Sequence, residues 1–373
     1  MKNDGGFAPR TVVISSVGLL GGSLGLALKA SGFTGKIIGL SSLANIETGR
    51  SLGCIDEGYG YERLPDVIGQ ADVLFICSPI LAIIDCIKKL GSMALPQGLV
   101  VTDVGSTKQA IVAAARQSFP PHVHFIGGHP MAGSEKSGPS VSDPYLFQNA
   151  MYVLTPASGT ASQRDTAFAV FLERFLGCRT VFLAPDVHDI IAAAVSHVPH
   201  LLAVALVNLA RQTDDRIPGA LNLAAGGFRD LTRIASAPFS MWRDILVTNE
   251  NVIASIVDEY IAILRGMKER LSDTTLGEQF ESAARARERI PLSRKGFIKP
   301  LHEILVHAKD QPGVIAAISQ ALSAEGINIK DIEVVKVREG EGGTIKLGFE
   351  SRQIAENAVA TLSRNGFSAR ERK

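Results

Sequence analysis

Residues 12–25 read Val-Val-Ile-Ser-Ser-Val-Gly-Leu-Leu-Gly-Gly-Ser-Leu-Gly, and this stretch decides the fold. An apolar, β-branched run at Thr11–Ile14 meets a glycine-rich turn, and a helical pattern begins at about Ser23 and stops at Gly32. Strand, tight turn and helix in that order open a βαβ unit. In the frame of the G-x-G-x-x-G fingerprint Gly18 and Gly21 match, while Ser16 replaces the first glycine. Gly18 would let the backbone approach a pyrophosphate, and Gly21 would let helix and strand pack closely. Free N–H groups at the helix start would then face the phosphates. The glycines alone also fit an ordinary tight turn; the strand before and the helix after favour a dinucleotide site. Ser41 stands where an NAD enzyme usually carries Asp on the ribose 2′-hydroxyl, and no arginine follows it to pair with a 2′-phosphate. NAD is the expected cofactor, with NADP left open. Candidate cofactor contacts are Gly18, Leu19, Leu20, Gly21 and Ser41, joined by Ser78, Pro79 and Asp103 at neighbouring strand ends.

Outward from that turn, short apolar runs alternate with helical patterns through the first half of the chain. Further strands are expected at Lys36–Leu40, Val73–Cys77, Leu99–Thr102, His124–Ile126, Met151–Leu154 and Thr180–Leu183. Pro79 and Pro185 fall just past strand ends, where proline can open a helix. From Val187 the strand runs vanish, and Ala- and Leu-rich helical periodicity continues to about Arg289, broken at Pro218, Gly226, Gly227 and Pro238. So apolar a helical region cannot hide all its faces within itself, and a homodimer is expected. Arg285 to Lys299 is dense in Arg and Lys and reads as a linker. After Pro300 come strand Glu303–Ala308, helix Gly313–Glu325, strand Ile332–Arg338, strand Thr344–Glu350, helix Gln353–Asn365 and a tail strand. That βαββαβ order is a ferredoxin-like module of the ACT type. The expected architecture is α/β. It comprises a Rossmann-type, mostly parallel sheet over 1–186, an all-helical dimerisation and substrate domain over 187–290, a linker over 291–299 and an ACT domain over 300–373.

Composition narrows the partners. With 38 Lys and Arg against 37 Asp and Glu, the net charge of +1 offers no field for nucleic acid or an anionic membrane. Cys54, Cys77, Cys86 and Cys178 form no Cys-x-x-Cys pair and read as thiols of a reducing compartment. Met1 to Arg10 is polar and has no apolar core of a secretion signal. Ser196, His197, Pro199, His200 and Asn208 interrupt the most apolar long stretch, Ile190 to Ala210, which argues against a membrane span. A cytoplasmic protein is expected.

Four more segments carry chemistry. They are Val-Thr-Asp-Val-Gly-Ser-Thr-Lys at 101–108, Phe-Ile-Gly-Gly-His-Pro-Met-Ala-Gly-Ser-Glu-Lys-Ser-Gly at 125–138, Val-Ser-His-Val-Pro-His at 195–200, and Gly-Gly-Phe-Arg-Asp-Leu-Thr-Arg at 226–233 with Met-Trp-Arg-Asp at 241–244. In order and spacing, from about Thr11 to Arg289, they resemble the prephenate and arogenate dehydrogenases. The resemblance implies a substrate, prephenate, that carries a ring carboxylate and, para to it, a hydroxyl. Hydride leaves C4 for the nicotinamide while the carboxylate leaves as CO2, and aromatisation drives the reaction without metal or covalent intermediate. The protein must then accept a hydrogen bond from the hydroxyl, hold two carboxylates and fix the hydride geometry.

On that chemistry His129 is the expected partner of the 4-hydroxyl, because imidazole titrates near neutrality. Its position between a strand end and Pro130 suits an active-site loop. Ser106 is expected to share the hydroxyl contact, although a helix N-cap would also account for a serine there. Arg233 is expected to grip the ring carboxylate through its two-pronged guanidinium, against the alternative of an exposed helical arginine. His197 and His200 lie three apart on one helical face, and with His188 they lack the His-Glu-x-x-His pattern of a metal site, so none is expected. By resemblance His200 faces the substrate side chain, His197 orients its neighbours, and Ser134, Gly226, Asp230 and Trp242 line or brace the pocket. His200 is not acidic, which favours prephenate over arogenate. A β-hydroxyacid dehydrogenase would carry a catalytic lysine in its helical domain, and a non-catalytic amino-acid sensor would not keep His129, Ser106 and Arg233 together. In the tail, Asp310, Gly313 and Asn328 fall in the two loops that bind amino acids in ACT domains, with tyrosine the expected effector.

Overall fold

A computed structural model describes residues 7–133, 136–290, 301–308, 311–338 and 342–371. The chain divides into two compact units, Met1–Leu276 and Gly277–Lys373.

The first unit is built on strands β1 (Thr11–Ser15), β2 (Lys36–Leu40), β3 (Glu57–Tyr59), β4 (Val73–Ile76), β5 (Val100–Asp103), β6 (His124–Pro130), β7 (Met151–Pro156) and β8 (Arg179–Phe182). They form one sheet in the order β3-β2-β1-β4-β5-β6-β7-β8. Every pairing is parallel except β6 with β7. The crossovers are α1 (Leu19–Ala30), α2 (Leu43–Ser51), α3 (Leu64–Ile68), α4 (Ile80–Gly91), α5 (Gln109–Ser118) and α6 (Gln163–Leu176). Both sheet faces are covered, so the strands are apolar on both sides. In β1, Val12 and Ile14 enter the core beneath Leu24, Leu28 and Phe168, whereas Val13 enters the opposite core with Ile83, Ile87 and Ile111. Helix α4 buries Ile80, Ile83, Ile87 and Leu90, one face at helical spacing. Helix α6 starts on a Ser162–Asp165 capping box and ends at Gly177 in the left-handed region, φ 65°.

Three local expectations change. Helix α1 begins at Leu19 rather than Ser23, because Gly21 and Gly22 lie inside its first turns and not in the preceding loop. The three-residue β3 was not legible, since none of its residues is fully buried and no apolar run marks it. Strand β6 continues through His129 to Pro130, so His129 is a strand residue paired with Val153 of β7, not a loop residue.

Helices α7 (Pro185–Ala192), α8 (Val198–Arg216), α9 (Gly226–Thr232), α10 (Phe239–Thr248) and α11 (Glu250–Glu269) complete this unit. A π-turn over Ala193–His197 joins α7 to α8. Gly226 and Gly227 open α9 instead of breaking a helix. The helical run Pro185–Arg216 is long and apolar enough to cross a membrane by length and composition. It also buries His188, Asp189, His197 and His200. Asp189 is tied to Lys108 and Gln109, and Asn249 bonds both Asp189 and His197, so the polar groups of the run are wired into the surrounding fold.

Helix α12 (Leu276–Glu288) starts at the boundary residue, and the second unit continues with β9 (His302–Ala308), α13 (Val314–Ala324), β10 (Asp331–Arg338), β11 (Gly342–Phe349), α14 (Arg352–Arg364) and β12 (Ser368–Glu371). The antiparallel sheet runs β10-β11-β9-β12, as the βαββαβ order requires. Ile304 and Val306 of β9 and Ile345, Leu347 and Phe349 of β11 alternate onto one face, where α13 and α14 supply Ile318, Leu322, Ala358 and Leu362. Gly313 is the N-cap of α13 at φ 88°, a conformation that favours glycine. Asn328 is exposed in the segment after that helix; Asp310 lies outside the described residues.

Candidate active site

The glycine-rich turn forms a cradle at the start of α1. An added Cβ at Gly21 would lie 2.2 Å from the Ser16 carbonyl oxygen, whereas at Gly18 it would meet nothing within 4 Å. Gly21 is thus needed for helix–strand contact, and Gly18 leaves the approach to the helix start open. Gly18 is the N-cap of α1 with no side-chain cap, so the first N–H groups of the helix remain available to an anion. Ser16 occupies the missing first-glycine position in the left-handed region, φ 75°. Its Oγ lies 2.6 Å from Ser78 Oγ and 2.8 Å from Tyr61 Oη, and its N–H donates to the Leu40 carbonyl at 2.7 Å. Leu19 and Leu20 open the helix, Ser41 is buried at the end of β2, and exposed Pro79 caps α4. These features fit a dinucleotide pyrophosphate over the turn.

Asp103 is not exposed to such a ligand. It is fully buried at the end of β5, and its oxygens accept from Gly105 N–H at 2.7 Å, from Gly128 N–H at 3.1 Å and from the Lys108 ammonium. Lys108 Nζ also donates to the Gly128 carbonyl at 2.7 Å. Burial pushes the Lys108 ammonium pKa down, while Asp103 and Asp189 oppose it. This fully buried pair ties the loop after β5, which carries Ser106, to the strand that carries His129. Ser106 is half-buried in that loop and is not the N-cap of α5. The cap residue is Lys108, and the carboxylate of Asp189 receives its N–H at 2.7 Å and that of Gln109 at 2.9 Å.

Asp189 also anchors a line of imidazoles. His188 Nδ1 lies 2.8 Å from Asp189 Oδ1, and His188 Nε2 lies 2.8 Å from His129 Nδ1. Burial holds His129 well below the usual imidazole range, helped by His188, Lys108 and His197. Burial likewise lowers His197 to about 4, against the attraction of Asp189. His129 is therefore a neutral base at physiological pH, with Nδ1 occupied and Nε2 without a protein partner among the described residues.

From the helical side, His200 is buried and stacks on Trp242 with ring centroids 3.7 Å apart, and His197 meets the same indole edge-on at 6.1 Å. Burial lowers the His200 pKa. His197 and His200 thus both pack against Trp242, whose buried Nε1 has no hydrogen-bond partner among the described residues. Gly226 and Asp230 lie on exposed α9, and Arg233 opens the turn that follows it and packs on α8. The Arg233 guanidinium is exposed and has no carboxylate partner among the described residues. Ser134 lies outside the described residues.

Sequence reasoning missed three residues: His188, Asp189 and Lys108. His188 was weighed only as a metal ligand and Lys108 was quoted without a role. The signal was an adjacent His-Asp pair one turn into a helix opened by Pro185, where a carboxylate has no reason to be buried unless it serves neighbours.

Comparison with known proteins places this geometry in context. The model of the prephenate dehydrogenase nucleotide-binding domain matches residues 24–184, that of the prephenate dehydrogenase dimerization domain matches 184–283, and that of the ACT domain matches 302–355. The prephenate dehydrogenase of Bacillus subtilis (strain 168) is 35% identical over 356 residues, covering 94% of this chain and 95% of that protein. The crystal structure of prephenate dehydrogenase from A. aeolicus, in complex with hydroxyphenyl propionate and NAD+, superposes with a TM-score of 0.70 at 30% identity. It covers 76% of this chain and 99% of that one. The Synechocystis arogenate dehydrogenase structure gives a TM-score of 0.66 at 28% identity, over 75% of this chain and 99% of that one. With the two domain models spanning residues 24–283 and a relative 35% identical over 94% of the chain, the chain belongs to the prephenate dehydrogenase family.

Proposed function

We propose that the chain catalyses the NAD-dependent oxidative decarboxylation of prephenate to 4-hydroxyphenylpyruvate, a step toward tyrosine. The observation that carries the reading is His129: a neutral imidazole near the C-terminal end of the interior strand β6, held by His188 through Nδ1 and with no partner at Nε2 among the described residues. Gly18 and Gly21 at the start of α1 would hold NAD+, and the bound cofactor would supply the hydride acceptor. His129 Nε2 receives the hydrogen bond of the 4-hydroxyl, so that negative charge can build on that oxygen as hydride leaves C4. Ser106 shares the hydroxyl contact from the adjoining loop. Arg233, exposed and without a carboxylate partner among the described residues, binds the ring carboxylate, and His200 against Trp242 faces the side chain. Gly226 and Asp230 line the same pocket, and Ser41 and Ser78 border the cofactor. The appearance of NADH absorbance when prephenate and NAD+ are mixed with the purified chain tests the reading; no NADH above the enzyme-free rate would refute it.

The reading extends to substrate choice, assembly and control. Arogenate carries an ammonium where prephenate has a keto oxygen, and the residue at position 200 is a histidine and not a carboxylate, so prephenate is preferred. The domain limits are 1–186, 187–290 and 300–373, with a linker over 291–299, and the helical domain pairs two copies in a cytoplasmic homodimer. Tyrosine binds the ACT domain through the loops of Asp310, Gly313 and Asn328, and inhibits by favouring one of two enzyme states. Deleting 300–373 should leave an active enzyme with much weaker tyrosine inhibition; equal inhibition of both forms would place tyrosine in the catalytic pocket instead.

A further inference from the structure

Asp189 dictates the arrangement of protons along a three-residue chain. Its Oδ1 and Oδ2 accept the backbone N–H groups of Lys108 and Gln109 at 2.7 and 2.9 Å, which suits the ionised, accepting carboxylate. His188 Nδ1, 2.8 Å from Oδ1, must then be a donor. In neutral His188 the lone pair therefore sits on Nε2, 2.8 Å from His129 Nδ1, and the His129 Nδ1–H donates to it. His129 is left with its lone pair on Nε2. A neutral imidazole isolated in the same place could choose either tautomer, and one of the two would present a useless N–H to the substrate hydroxyl.

We propose that His188 and Asp189 are positioning residues for the dehydrogenation: they lock His129 in the Nδ1–H tautomer and take up the positive charge when the hydroxyl proton moves onto Nε2. The inference rests on the reading of His129 as the proton acceptor. The step balances. The C4–H pair leaves as hydride to NAD+, the C1–carboxylate pair enters the ring as CO2 departs, and the hydroxyl proton shifts to His129 Nε2. The Nδ1 proton shifts in the same direction to His188 Nε2, so the imidazolium forms beside the Asp189 carboxylate. Both shifts reverse when the phenol oxygen recovers its proton, and no net proton is released.

The surroundings of His129 give this transfer its direction. Lys108 from the loop after β5, His188 from α7 and His197 from the π-turn all disfavour a positive charge on His129, as does burial. Asp103 is already paired with Lys108, which leaves Asp189 as the anion at the far end of the line. Because Asp189 also caps α5 just beyond Ser106, one carboxylate sets both the tautomer of the base and the position of the loop beside it.

A purely structural role, with His188 filling space and Asp189 capping a helix, makes different predictions. His188→Leu fills much the same space but cannot accept from His129, whereas the amide oxygen of His188→Gln can. We expect His188→Leu to lower kcat about 10- to 100-fold with KM for prephenate and NAD+ within about threefold of the parent, and His188→Gln to recover kcat to within about fivefold. In Asp189→Asn the acid limb of the kcat profile should move to lower pH, because removing the anion disfavours protonated His129. Equal kcat in the Leu and Gln variants, or an unmoved acid limb in folded Asp189→Asn, overturns the inference; if Asp189→Asn does not fold, the Leu–Gln comparison decides alone. A parent chain that makes no NADH from prephenate would sink the proposed function itself, whereas an active parent with equal Leu and Gln variants sinks only this inference.

Discussion

The sheet half and the helical half of the first unit bury themselves in opposite ways. In β1 four of five residues are buried, and α1 buries seven of twelve. In α8 only Val198, His200 and Ala203 are buried among nineteen residues, and in α11 only Ile253 among twenty. Leu223, Leu231, Phe239, Val247 and Ile263 are exposed on the helical half. The sheet half is complete within one chain; the helical half is not, and a large unpartnered apolar surface of this kind marks an interface. The same contrast runs through the site. His129 and Lys108 of the sheet half are tied to His188 and Asp189 at the start of the helical half, whereas Arg233 sits exposed without a carboxylate partner among the described residues.

If chemistry belongs to the sheet half and substrate anchoring to the helical half, substitutions should separate kcat from KM. The largest effect is expected for His129→Asn, which should lower kcat about 100-fold or more while KM for prephenate stays within a few-fold. Steady-state kinetics on the folded variant would check it, and an unchanged kcat would remove His129 from the mechanism. Arg233→Gln should act on the other parameter, raising KM for prephenate about 10- to 100-fold, the worth of a charge-assisted hydrogen-bonded pair. A loss confined to kcat would break the division.

How much of this was legible in the sequence follows the same line. Strands buried on both faces announce themselves as apolar runs, and the ends of β1, β2, β4 and β8 were read to within a residue. Strand β3 was missed because it is three residues at a sheet edge without an apolar run. The extension of β6 to Pro130 was missed because Gly127, Gly128 and Pro130 read as a turn, although Gly128 N–H and its carbonyl are held by Asp103 and Lys108. His129, Ser106 and Arg233 stood out by motif. His188 and Asp189 did not, because their significance is a line of hydrogen bonds between residues 59 and 80 or more positions apart. Long-range partners of that kind leave no local period to read.

Smaller effects sharpen the contrast in burial. Leu223→Glu with Leu231→Glu should raise the concentration at which a dimer dissociates about tenfold or more, measured by sedimentation, with the fold of each chain kept. The same dimer strength in the variant would place the interface elsewhere. In the sheet half, Gly21→Ala should lower Tm by several degrees, because its Cβ would crowd the Ser16 carbonyl at 2.2 Å. Gly18→Ala, with open space around it, should leave Tm nearly unchanged and raise KM for NAD+ about three- to tenfold. Equal Tm losses in the two variants would contradict the separate roles of these glycines.

The most direct test is kcat/KM of the intact chain for prephenate and for arogenate, each with saturating NAD+ and followed by NADH absorbance. The predicted result is rapid turnover of prephenate with kcat/KM at least about tenfold above that for arogenate, the worth of roughly one mismatched polar contact. Comparable or higher kcat/KM with arogenate would contradict the substrate reading at His200, and no NADH with either compound would contradict the account as a whole.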